Sequence, residues 1–387
     1  MYMVMNNLYG WSMSQPLPTG GFEWVQIEDG VLNPDFVDDD EGYVAEVDFD
    51  YPNKFHAKHN DFPLAPESLC PKEWSDYMKS VGPLNFMGEP KYSTVPKLVP
   101  NLSNKKNYMV HHSALATSLR LGLKLTKVHR VLKLKEFAWM KPYIELNTNF
   151  RKEAKTDFEK DIFKLMNNAV FGKTMENVRN RIDFRLTADE NKGKWIKNPR
   201  FKCTKDFNKH LSGFMMNKAS VTLNKPIYVG QAILNISKTL MYHWYYDDIK
   251  KQYPDARMMS TDTDTFLLYI ETEDLYKGMP LEKYDTSNYP EEQLCYSLKN
   301  KRVIGLPKDE GGGQPISEFT CLRSKSYCVK FEDWQMSKCK VVKKCVAKNF
   351  TSDTYRNCLF TGSPAPDARM SVILLRLHEL GTYTFIK

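Results

Sequence analysis

The chain has 387 residues, of which 42% are apolar and 26% charged. That is a globular, soluble balance with length for two or three subdomains around a sizeable core; no apolar run approaches the roughly 18–20 residues of a membrane span, and the start MYMVMNNLYGW lacks the basic head and apolar core of a secretory signal. The net charge of +8 is uneven: residues 1–50 carry eleven acids and no Lys or Arg, which leaves the remainder near +19, a surface suited to a polyanion such as nucleic acid.

In chain order, the acidic stretch NPDFVDDDEG (33–42) reads as a mobile connection and YVAEVDFDY (43–51), with its period of two, as a strand. YMVHH (108–112) reads as another strand, and LATSLRLGLKL (115–125) as a short amphipathic helix or a helix-to-strand passage. TNFRKEAKTDFEKDIFKLMNNAVFG (148–172) is rich in helix formers and reads as one long helix or as two joined near Lys155–Asp157, with Thr156 or Asp157 as the second cap. The polar stretch TADENKGKWIKNPRFKCTKDFNKHLSG (187–213) reads as an irregular insertion, and helical periodicity returns over 225–253. Apolar flanks around TDTD (261–264) predict a β-hairpin with the aspartates at its tip. The order predicts an α+β fold, with helices over one face of an antiparallel sheet. Eight cysteines without a C-x-x-C pair argue against a zinc module and for reduced intracellular thiols.

Three constellations carry chemistry. Asp262 and Asp264 stand one residue apart, and two carboxylates so close repel unless a cation lies near them. Such a pair suits Mg²⁺ (or Mn²⁺), and two ions ~3.5–4 Å apart would activate an attacking oxygen and stabilise a leaving one. The same D-x-D turn also fits an ordinary surface hairpin or a nucleotide-sugar transferase. In KLMNNAVFGK (164–173), Lys164, Asn168 and Phe171 lie at i, i+4 and i+7, on one helix face. Gly172 costs a helix ~1 kcal/mol relative to Ala, which suggests a close approach to the backbone there. With Arg151 and Lys152 upstream, these cations fit a triphosphate; an amphipathic surface helix is the plainer alternative. In LRSKSYCVKF (322–331), Lys325 and Tyr327 are expected to alternate to one strand face, with Arg323 beside them and Lys338, Lys340, Lys343 and Lys344 following. Cations interleaved with aromatics suit a nucleic-acid backbone and its bases, and equally a protected edge strand.

In order, NNLYGW (6–11), KLMNNAVFG (164–172), TDTDT (261–265) and KSY (325–327) resemble motifs A, B, C and KxY of family B DNA polymerases, and more closely the protein-primed branch. The phrases NNLYGWSMSQPLPTGGFEW, HNDFPLAPE, FGKTMENVRNR and KPIYVGQAILNISKTLMY are similar to polymerases of Polinton/Maverick-type transposons and related viruses. The resemblance runs from about residue 2 to about residue 375. It implies a right hand: palm over 1–130, fingers over 131–172, an insertion like the second terminal-protein region over 173–224, palm again over 225–333 and thumb over 334–387. It implies Asp262 and Asp264 as metal-binding catalytic carboxylates. Tyr9, with Leu8, would gate the sugar; Arg151, Lys152, Lys164, Asn168 and Phe171 would hold the incoming nucleotide. Gly172, Lys325, Tyr327, Lys343 and Lys344 would contact DNA. Partners would be primer–template DNA, a dNTP and a terminal protein primer, in the nucleus if the source is a eukaryotic mobile element.

The departures matter as much. The family carries an exonuclease domain and a first terminal-protein region before motif A, whereas this chain opens inside motif A, an N-terminal truncation by that comparison. The motif A aspartate is Val4, which cannot coordinate a cation; Ala169 and Thr265 stand where serines are usual, and Val341 where relatives have glycine. Glu46, Asp48 and Asp50 alternate to one face of a strand expected to pair near motif A, where they could replace the lost carboxylate. The expected activity is template-directed transfer of a deoxynucleotide to a primer 3′-OH, impaired at Val4; the alternative is a non-catalytic nucleic-acid-binding remnant.

Overall fold

The structure, a computed structural model, describes residues 1–25, 40–70, 96–188, 192–276, 279–323, 325–340 and 342–361. The acidic stretch up to residue 39, Val341 and the chain beyond 361 lie outside the described residues.

The chain opens on β1 (Tyr2–Met5), α1 (Leu8–Met13), β2 (Leu17–Val25) and β3 (Glu41–Asp50), followed by β4 (Glu67–Leu69), β5 (Lys97–Val99) and β6 (Lys105–His111). Then come α2 (His112–Arg120), β7 (Lys124–Phe137), α3 (Lys141–Glu153), α4 (Asp157–Thr174), β8 (Ile182–Thr187), β9 (Phe201–Asn208) and β10 (Leu211–Asn217). α5 (Ile227–Tyr242) leads to β11 (Arg257–Thr261), β12 (Thr265–Tyr269), β13 (Pro307–Asp309), β14 (Glu318–Arg323), β15 (Ser326–Lys330) and β16 (Gln335–Cys339). Two short helices, α6 (Lys344–Ala347) and α7 (Ser352–Thr361), end the described chain. The strand pairings are antiparallel, as the α+β reading expected.

Two compact units emerge. The first comprises Met1–Ser12, Gly20–Lys135 and Asn235–Lys387. It holds the sheets β11-β12-β1-β13 and β14-β15-β16, and most of β2-β7-β3-β6. One core joins β1 (Met3, Met5), β3 (Tyr43, Ala45, Val47, Phe49) and β12 (Phe266, Leu268). The run WYY after α5 contributes Trp244, Tyr245 and Tyr246, all buried. Three consecutive aromatics cannot share one α-helical face, since successive residues point about 100° apart. Here His243–Ile249 is π-helical, and the wider turn lets all three enter the interior.

His59 sits in this core at 0% exposure. Its ring stacks on Phe55 with centroids 5.6 Å apart, and Nδ1 lies 3.0 Å from the Tyr51 hydroxyl. Burial, with the cations Lys58 and His56 nearby, pushes its pKa down to about 4. The unfolded chain therefore binds this proton more tightly, so stability is full above pH 6.5 and falls as pH drops toward 4. Urea denaturation at pH 7 and pH 5 should differ by up to about 2 kcal/mol from this residue. The difference should shrink in His59→Gln, and an unchanged pH slope would sink the assignment.

The second unit comprises Met13–Thr19 and Glu136–Leu234. The long helical stretch is two helices. Thr156 caps α4 by accepting from Glu159 N–H, while the Glu159 carboxylate accepts from Thr156 N–H, a reciprocal capping box. Phe150 of α3 meets Phe163 of α4 with centroids 5.4 Å apart, and the Tyr143 hydroxyl donates to Met166 C=O. The polar stretch expected to be irregular is instead largely ordered, because β8, β10 and β9 form a three-stranded sheet. β8 alternates Ile182, Phe184 and Leu186 with polar residues, a period of two that the sequence reading passed over, whereas Lys205 interrupts the alternation of Phe201, Cys203 and Phe207 on the almost wholly exposed β9. Among the described residues, no helix is long and apolar enough to cross a membrane.

Candidate active site

The aspartates lie where the hairpin reading expected them, in the turn between β11 and β12. The turn is tight: Asp264 N–H donates to Asp262 C=O at 2.8 Å, which throws Thr263 into the left-handed region at φ +66°. A β-branched residue there is strained by roughly 1–3 kcal/mol and persists only where neighbours hold it. Two threonines do so. Thr265 Oγ1 accepts from Asp262 N–H at 2.9 Å, and Thr261 Oγ1 donates to Thr265 C=O at 2.8 Å. The turn thus presents two carboxylates from a braced backbone.

β1 runs directly beside it. Tyr2, Met3 and Val4 pair with Leu267, Phe266 and Thr265, and Met5 N–H donates to Asp264 C=O at 2.7 Å. Side chains alternate along β1. Met3 and Met5 enter the main core, whereas Tyr2 and Val4 face a second cluster with Leu267, Tyr327, Val329 and Phe331. On the other side of Val4 the paired residue is Lys308 of β13. Position 4 therefore adjoins the aspartate turn and offers it hydrocarbon.

After β1 the chain turns through Asn7 at φ +45° into α1. The turn is tied down by Asn6, whose N–H donates to Leu306 C=O and whose C=O accepts from Gly305 N–H. Asn6 Nδ2 also donates to Asp285 Oδ2 at 2.8 Å. Asp285 is 1% exposed and accepts further bonds from the Arg302 and Ser287 N–H groups. Burial opposes its ionisation, yet these donors outweigh burial and hold the carboxyl below its ordinary value. Gly305, at φ +78°, sits against Trp11, where a Cβ would come within 2.3 Å of the indole. Leu8 is buried and Tyr9 half-buried on α1. Burial pushes the Tyr9 hydroxyl pKa up, and the charges of Asp264 and Asp262 push it further, so Tyr9 lies within their electrostatic reach.

Sequence reading missed Tyr2, Asp285 and Lys308. The signal for Asp285 was the cluster YDTSNY (284–289), an acid among turn-forming residues flanked by tyrosines.

Lys325 and Tyr327 do not share a strand face. Lys325 precedes β15, at φ +63°, and its ammonium reaches both oxygens of Asp262, at 2.7 and 2.9 Å. Tyr327 is on β15 and buried at 8% exposure, its hydroxyl 3.2 Å from that of Tyr2. Alternation failed because the β14–β15 connection needs a left-handed residue, which pulls Lys325 out of the strand. Of the remaining cations, Lys338, Lys340 and Lys343 are exposed, and Lys344 begins α6.

The strand bearing Glu46, Asp48 and Asp50 does not pair with β1. β3 pairs with β6 and β7 instead. Two of its three acids are already held by basic partners. Asp48 accepts from Lys106 Nζ, Asn107 N–H and His129 Nε2, which hold it far below the usual carboxylate range. Glu46 is bonded to Asn107 and Arg130. Asp48 and Glu46 are thus held by basic partners on a strand that does not pair with β1, which argues against their standing in for a carboxylate at position 4.

In the second unit, Arg151 and Lys152 end α3. On α4, Lys164 is exposed, and Asn168 and Phe171 are half-buried. A Cβ on Gly172 would meet nothing within 4 Å, so no contact among the described residues explains the glycine.

The donor chemistry can be tested against the cations the sequence implies. Asp262 and Asp264 supply carboxylate oxygens, the right class for one hard divalent ion. A pair of ions needs a further carboxylate, and the β1 residue opposite Thr265 is Val4. The residues fit one divalent cation and not two.

No family model matches the chain, and no curated protein matches it. Among solved structures it is similar to Phi29 DNA polymerase in an orthorhombic crystal form, at TM-score 0.52 and 15% identity, over 92% of this chain and 53% of that one. It is also similar to Phi29 DNA polymerase complexed with primer-template DNA and incoming nucleotide substrates, at TM-score 0.53 and 16% identity, over 92% and 52%. At this identity the likeness is one of fold: the chain has a DNA-polymerase-like fold and spans about half the length of these structures.

Proposed function

We propose that the chain is the polymerase portion of a protein-primed, family B-like DNA polymerase of Polinton type, which engages primer–template DNA and a dNTP but transfers nucleotides poorly. The observation that carries this reading is the long-range register of β1 on β12, which sets the NNLYGW turn against the TDTD turn. A surface D-x-D hairpin or a sugar transferase has no need of that partnership. In this reading β1, β12 and their neighbours form the palm, α3 and α4 the fingers, and the chain from β16 onward the thumb.

The chain's own residues would act by position and charge. Tyr9 would close against the sugar, its ring excluding a 2′-hydroxyl, with Leu8 buried behind it. Lys164, Arg151 and Lys152 would hold the triphosphate, and Asn168 and Phe171 would border the nascent base pair. Lys325, Lys343 and Lys344 would meet DNA phosphates, with Gly172 leaving room for the duplex; buried Tyr327 would support the primer side through Tyr2. A divalent cation bound at the turn supplies positive charge toward phosphate oxygens. Val4 favours a second reading, a DNA-binding protein without turnover.

Primer–template binding tests what the two readings share. Affinity measured by fluorescence anisotropy should fall steeply with salt, and changing both Lys343 and Lys344 to Ala should lower the slope of log K against log salt by about 2. Salt-independent binding, or tight binding of a sugar nucleotide and none of DNA, would count against both.

A further inference from the structure

Lys325 holds both oxygens of Asp262, and Asp262 is one of only two carboxylates in the turn that could take a cation. We propose that this ion pair couples DNA to cation binding: Lys325 neutralises Asp262 in the DNA-free chain and releases it when a primer phosphate takes the ammonium. The inference rests on the reading of Lys325 as a DNA contact and goes beyond it.

The geometry supports an exchange rather than a permanent link. The two side chains are 42% and 29% exposed, so water and phosphate reach the pair. An exposed ion pair of this kind is weak enough to be exchanged for a phosphate contact. The backbone, by contrast, is braced. Lys325 sits at φ +63°, its C=O accepting from Lys340 N–H at 3.2 Å. Asp262 N–H is held by Thr265 Oγ1. Movement is therefore confined to the lysine side chain, whose flexible stem can swing while both turns stay in place. With Lys325 on Asp262, a divalent ion has Asp264 as its carboxylate; with Lys325 on phosphate, it has both. DNA then tightens cation binding, and by reciprocity the cation tightens DNA binding by the same factor.

The test is a Mn²⁺ titration of the full chain, read by the electron paramagnetic resonance signal of free Mn²⁺, with and without a primer–template duplex. Binding by the Asp262→Asn/Asp264→Asn double variant is subtracted, which removes Mn²⁺ held by DNA alone. In the unmodified chain, DNA should tighten Mn²⁺ binding at the turn about three- to fivefold, the scale of an exposed ion pair. Lys325→Gln should show the tighter affinity without DNA and gain nothing further from it, whereas Lys325→Arg should keep the weak DNA-free affinity. Circular dichroism and DNA anisotropy on each variant check folding and DNA binding. If Lys325→Gln leaves the DNA-free affinity unchanged, or DNA tightens both chains equally, the coupling is wrong. DNA binding with no change in Mn²⁺ affinity overturns the coupling alone, whereas a chain that binds no DNA overturns the function reading with it.

Discussion

Val4→Asp is expected to raise primer extension by at least about 100-fold over the unmodified chain, which should show little or none with Mg²⁺ or Mn²⁺. The reason is geometric. Position 4 lies on the strand that pairs with β12 at Thr265, on the face away from Met3 and Met5. A carboxylate there would stand beside Asp264, next to the cation that the turn can hold. Phosphoryl transfer depends almost wholly on positioning and charge stabilisation, so one missing carboxylate removes most of the rate. The fold should accept the change, because Val4 is only half-buried and Lys308 lies opposite to keep an aspartate ionised. Adding Asp264→Ala should return the variant to background. Efficient extension by the unmodified chain, lost in Asp264→Ala, would show that Val4 is no defect. A folded, DNA-binding Val4→Asp chain without activity would favour the DNA-binding reading.

The second large effect is structural. Asp285→Ala should lower unfolding stability by about 3 kcal/mol or more, since it strips the acceptor from Asn6 Nδ2 and from the Arg302 and Ser287 N–H groups in a site 1% exposed. The half-buried Asp183, paired with the more exposed Arg185 on the second unit and holding up no turn, should cost far less when changed to Ala. Because Asp285 carries the turn between β1 and α1, its loss should also displace Tyr9. In the Val4→Asp background, partial refolding of an Asp285→Asn chain with weakened preference for dNTP over rNTP would report that displacement. Equal denaturation midpoints for Asp285→Ala and Asp183→Ala would refute the anchoring role.

Much of the local architecture was legible. The hairpin with aspartates in its turn follows from apolar runs flanking a polar tetrad; a break near Lys155–Asp157 was one of two readings of the helical stretch, and the Thr156–Glu159 capping box marks it. Both are short-range: a cap or a turn is decided by residues within four positions. The sheet β8-β10-β9 was less legible, since the alternation of Ile182, Phe184 and Leu186 on β8 is short and that on β9 is interrupted by Lys205.

The site itself was only partly legible. Residue types, their order, and a side chain at position 4 unable to bind a cation can all be read from the chain directly. Tertiary structure alone decided what surrounds them. β1 meets β12 across some 260 residues of chain, Asp48 is consumed by Lys106 and His129, and Lys325 leaves its strand to hold Asp262. Tyr327 turns inward to Tyr2, and Asp285 reaches Asn6 across 279 positions. Periodicity reports which face of an element is apolar, and it is blind to which distant strand supplies the neighbour. Whether a carboxylate is a cation ligand or half of an ion pair depends on that neighbour, because charge is compensated through space and not along the chain.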